Sequence, residues 1–99
     1  SGTKINPFDK VRWIRTLVFF DGTSPCQMGW VQQYLKKHDA KFVKLIISDG
    51  DVQNVMEQLH QRVYWGSRIL VDRMGVRAVP SVVSQSGRQI QVEEVALHE

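Results

Sequence analysis

The stretch that decides the fold runs from residue 16 to residue 28: Thr16-Leu-Val-Phe-Phe-Asp-Gly-Thr-Ser-Pro-Cys-Gln-Met28. Thr16 to Phe20 is a compact, β-branched and aromatic run closed by Asp21-Gly22, a pattern that predicts a strand buried on both faces and so a central strand. Ser24-Pro25-Cys26-Gln27 then has the chemistry of a helix start. Ser24 suits the N-cap, Pro25 the first helical position, and Gln27, three residues after the cap, can bond back to the Ser24 amide. Cys26, the only cysteine of the chain, falls in that first turn. Met28, Val31 and Leu35, with Trp30 and Tyr34 alongside, recur at helical spacing and predict a helix over residues 25–38.

Working outward, Phe42 to Ile47 is a second strand of buried type, closed by Ser48-Asp49-Gly50. Val52, Val55, Met56 and Leu59 then mark an amphipathic helix opened by Asp49 or Asp51. Strand, helix, strand, helix in this order favours parallel strands joined by crossovers. Val63-Tyr64-Trp65 is a short extended piece, and residues 67–74 make one or two helical turns stopped by Gly75. Residues 76–83 are the next strand candidate. Ser86-Gly87 turns into the alternating Gln89-Ile90-Gln91-Val92, so residues 76–95 are expected to form an antiparallel hairpin. On the other side, Phe8, Val11 and Ile14 recur every third residue and predict a short amphipathic helix over residues 8–15.

A proline inside an apolar strand removes a ladder donor. Pro80 therefore implies an edge, a bulge, or pairing that begins just after it. A cis Val79-Pro80 bond would turn the backbone of residue 79 outward and leave its amide and carbonyl open to an extended peptide.

Length and composition bound the function. Ninety-nine residues, 42% apolar, make one domain with an ordinary core. Residues 1–7 are expected to be a cloning remnant and tail, and residues 8–99 the domain. The net charge of +3 comes from 13 basic and 10 acidic residues that are interleaved rather than clustered, which argues against nucleic-acid binding. No apolar run approaches the ~20 residues of a membrane span. His38, His60 and His98 have no ligand partners at metal spacing, and Cys26 with Met28 would make a poor copper site, because ligands two apart in a helical turn point in different directions. Neither a hydrolase elbow nor a phosphate-cradling glycine loop occurs, so no cofactor or metal is expected.

With these elements in place the chain resembles the thioredoxin fold. That family opens the first helix after its central strand with Cys-x-Pro-Cys-Lys-Met, and faces it with a cis-proline from a Gly-Ile-x-x-[Ile/Val]-Pro segment. Matched residue by residue, Cys26 falls on the second cysteine, Thr23 on the first and Pro80 on the cis-proline. The resemblance implies an α/β, thioredoxin-like mixed sheet of about four strands with flanking helices. It lacks the final thioredoxin helix, so one sheet face is expected to be covered by residues 8–15 or left as an apolar patch. It also lacks the cysteine that begins thiol exchange.

Over nearly the whole chain, "LVFFDGTSP", "KLIISDG", "QRVYW" and "RMGVRAVPSVVSQSGRQIQVEEV" resemble the C-terminal region of the TraW family of F-type conjugative pilus assembly proteins. The terminal hairpin carries the specific part; Tyr64-Trp-Gly-Ser-Arg68 departs from the family pattern. This likeness implies a periplasmic, non-enzymatic protein-interaction domain in type IV secretion, with a TrbC-like assembly protein as partner.

Cys26 can be a small packing residue, a monothiol that acts on another protein, or one end of an intermolecular link; a dithiol cycle needs a second cysteine. A thiol in a first helical turn feels the helix dipole and free amides. Trp30, one turn further on, can pack at the rim or anchor a peptide beside Val79 and Pro80. The candidate partner-binding set is thus Thr23, Ser24, Pro25, Cys26, Trp30, Val79 and Pro80, with no catalytic residue.

Overall fold

A computed structural model describes residues 15–97 with the exception of Arg88. The helix expected over residues 8–15 lies almost entirely outside the described residues. β1 (Thr16–Asp21) leads into α1 (Pro25–Lys37), a 3-10 turn (Ala40–Phe42) and β2 (Val43–Asp49). Then come α2 (Val52–Leu59), β3 (Val63–Trp65), α3 (Arg68–Arg73), β4 (Ser81–Ser86) and β5 (Gln89–Glu94). The sheet order is β3-β2-β1-β4-β5. β1 and β2 run parallel, as do β2 and β3, whereas β4 is antiparallel to both β1 and β5.

β1 is the central strand, with Val18, Phe19 and Phe20 all at 0% exposure. Alternation along the strand sends these side chains to opposite faces. Val18 and Phe20 join Met28 and Val31 of α1, Leu45 and Ile47 of β2, and Val55 and Leu59 of α2 in one core cluster. Phe19 joins Ile46, Val76 and Val83 in a second cluster on the other face, against which Val71, Met74 and Val79 pack. Large side chains buried this fully contribute about 1.5–3 kcal/mol each, so β1 links both halves of the core.

Two expectations change. The sheet has five strands rather than about four, because Val63–Trp65 adds to β2 in the register Leu45↔Val63, Ile46↔Tyr64 and Ile47↔Trp65. The helix α2 returns the chain to the open edge of β2, where Val63 is buried; three residues are too few to announce a strand by pattern. And β4 begins at Ser81 rather than Val76. Pro80 has no amide to give, and the peptide Val79-Pro80 is cis, so pairing starts immediately after it. Val76 still enters the core, but from a loop.

The second sheet face is covered unevenly. α3 and residues 74–79 pack at the end near Phe19 and Ile46, whereas Leu17 and Val92 are only half-buried and Ile90 is 51% exposed.

Candidate functional site

The loop between β1 and α1 is held by short local bonds. The Thr23 amide and hydroxyl both donate to Asp21 Oδ1, at 2.8 and 2.6 Å. Ser24 is the N-cap in extended backbone, and its Oγ accepts from the Gln27 amide at 3.2 Å. Pro25 opens the helix, and Cys26 is half-buried in its first turn.

Gln27 departs from the capping-box expectation. The Ser24 amide donates to the Asp21 carbonyl at 3.2 Å, and the Gln27 side chain reaches further back, its Oε1 accepting from the Asp21 amide at 2.8 Å. Its Nε2 donates to the Val79 carbonyl at 3.4 Å. At 4% exposure, Gln27 joins the end of β1, the first turn of α1 and the cis peptide in one buried polar node. Buried amides persist only when their polar ends are matched, so this node fixes the Cys26 turn against residues 79–80. Nothing in the local sequence signals it, because the Val79 partner is 52 residues away.

The candidate residues divide between separate places. Ser24 and Cys26 flank the Gln27 node. Val79 is half-buried, its carbonyl engaged by Gln27 rather than open to a peptide, and Pro80 is fully buried. Thr23 and Pro25 border a groove of 490 Å³ on the other side of α1, shared with Gly29, Asp51 and Asn54. Its floor depends on two glycines. A Cβ on Gly22 would meet Val55 Cγ2 at 2.8 Å and the Asp49 carbonyl at 2.9 Å, and Gly50 has φ +109°.

Trp30 lines a groove of 470 Å³ between α1 and the terminal hairpin, with Tyr34 from α1, its C-cap His38, Val82 from β4, Glu93 from β5, and Val95, whose amide bonds the Pro80 carbonyl. Residues four apart form one helix stripe. Trp30 and Tyr34 rings are 5.4 Å apart and tilted, and Tyr34 and His38 stack at 4.0 Å. Burial raises the Tyr34 phenol above its usual pKa, and the nearby Glu93 charge raises it further. Sequence periodicity placed Trp30 and Tyr34 on one flank of α1, but not opposite β5.

Among the described residues, no three of His, Cys, Asp and Glu converge as a metal site, and no helix is long and apolar enough to cross a membrane. Among curated proteins, this chain is similar to "Protein TraW" of Escherichia coli (strain K12), 29% identical over 102 residues that cover 100% of this chain. The resemblance to TraW is borne out. The chain spans 48% of the TraW length. No family model matches the chain, and no solved structure does.

Proposed function

We propose that this is a thioredoxin-like, non-enzymatic protein-interaction domain that serves in the periplasm in the assembly of an F-type conjugative pilus, with a TrbC-like protein among its partners. The observation that carries the reading is the Cys26 turn. It has a capped helix start fastened to a cis-proline peptide through Gln27, yet Thr23 stands where the thioredoxin pattern has its attacking cysteine. Exchange that makes or breaks disulfides within one domain needs two thiols, and this chain has one. The likeness to TraW along the whole chain supports the conjugative setting.

The rival is a monothiol that acts on another protein through Cys26, whose half-exposed place in a first helical turn favours it. The two readings separate by co-purification and crosslinking with a TrbC-like protein, run beside an insulin-reduction assay. Under the interaction reading Cys26→Ser retains partner affinity and pilus assembly, and the parent reduces no insulin. Turnover of insulin, or assembly lost in a folded Cys26→Ser protein, would replace this reading with the monothiol one.

A further inference from the structure

Resting on the interaction-domain reading, we infer that the outer edge of β5 is a docking site for an extended peptide segment that carries basic and apolar side chains in alternation. β5 is an end strand of the sheet and has no second neighbour among the described residues. The Val95 amide donates to the Pro80 carbonyl at 2.9 Å, which fixes the phase of the antiparallel ladder. Residues 89, 91, 93 and 95 bond inward to β4, so the amides and carbonyls of Ile90, Val92 and Glu94 point to the open edge. An incoming strand pairs there through its main chain, and its alternate side chains fall on the two sheet faces.

The two faces call for different side chains. Ile90 and Val92 lie on the face of the second core cluster, where Val92 packs and Ile90 is 51% exposed; residues that arrive beside them are apolar. On the other face, Glu93 stands opposite Val82 at the mouth of the Trp30–Tyr34–His38 groove. A residue arriving beside Glu93 meets a carboxylate and the π-faces of an aromatic stripe, which together suit an arginine or lysine. The only charges on the described residues of β4 and β5 are Glu93 and Glu94, so the edge itself is acidic; Lys37 and His38 sit at the far end of α1 and bound the groove there. The acidic edge also disfavours a second copy of β5, which would bring another pair of glutamates with it.

The test uses the 99-residue chain and a fluorescein-labelled synthetic peptide of alternating valine and arginine, read by anisotropy and by backbone amide NMR. Saturable binding is expected, with shifts at residues 90–94, and the same peptide with glutamate for arginine should not bind. Glu93→Lys, and Ile90→Pro, which deletes one outward amide while leaving the inward ladder intact, should each weaken binding roughly tenfold or more. If Ile90→Pro does not fold, N-methylation of the peptide amides that face β5 replaces it and should abolish binding. Equal binding of the acidic peptide, unchanged affinity in both variants, tolerance of N-methylation, or peptide-independent dimerisation through this edge would each overturn the proposal. Capture of a TrbC-like partner that survives Glu93→Lys would remove the β5 site and leave the interaction-domain reading standing.

Discussion

Replacing Gln27 tests whether one buried amide holds the Cys26 turn to the cis-proline peptide. Gln27→Met keeps length and apolar volume but strips the Asp21 amide of an acceptor at 2.8 Å and the Val79 carbonyl of a donor at 3.4 Å. A stranded, partly buried backbone group costs about 1–3 kcal/mol, and the longer bond belongs at the low end, so the pair should cost roughly 2–3 kcal/mol. For a domain of this size each kcal/mol moves Tm by about 4–8 °C, which gives a drop of roughly 8–24 °C. Gln27→Glu adds a pH signature. It keeps the acceptor for Asp21 but sets a carboxylate oxygen against the Val79 carbonyl, so burial and that oxygen raise the folded-state pKa above the usual value of about 4.3. The folded state then binds the proton more tightly than the unfolded one, and the deficit is full at neutral pH. It shrinks as pH falls through the raised value, where the protonated carboxyl regains a donor. Urea unfolding across a pH series measures both variants. A Gln27→Met midpoint equal to the parent's, or a Gln27→Glu deficit that ignores pH, would refute the role assigned to this side chain.

Other perturbations reach the neighbouring features. Gly22→Ala drives a methyl to 2.8 Å from Val55 Cγ2 and 2.9 Å from the Asp49 carbonyl, and overpacking of that kind costs about 1–3 kcal/mol; an unchanged urea midpoint would contradict the close crossing of the two loops. Burial and Glu93 raise the Tyr34 phenol above its usual value of about 10, so the unfolded state loses this proton first and stability declines as pH climbs past that value. Tyr34→Phe should flatten that alkaline decline and Glu93→Gln should lessen it, as followed by thermal melts; melts that keep the parent's slope in both variants would dismiss the coupling.

The sequence by itself determined the parts whose causes are local. The run from Thr16 to Phe20 has too much β-branched and aromatic surface for anything but a buried strand, and Ser24-Pro25 caps and opens a helix through atoms within three residues of one another. That the chain holds one cysteine, and so no dithiol pair, is equally a fact of sequence. Tertiary structure decided what depends on distant partners. Val63–Trp65 became a fifth strand only because β2 offered it an edge. Gln27 left its local capping role because the Asp21 amide and the Val79 carbonyl lay within reach once β4 was beside β1. Trp30 and Tyr34 acquired Glu93 as a neighbour because the hairpin folds back along α1. Local bonds can be read from spacing along the chain; a groove between segments some sixty residues apart exists only after the sheet has assembled.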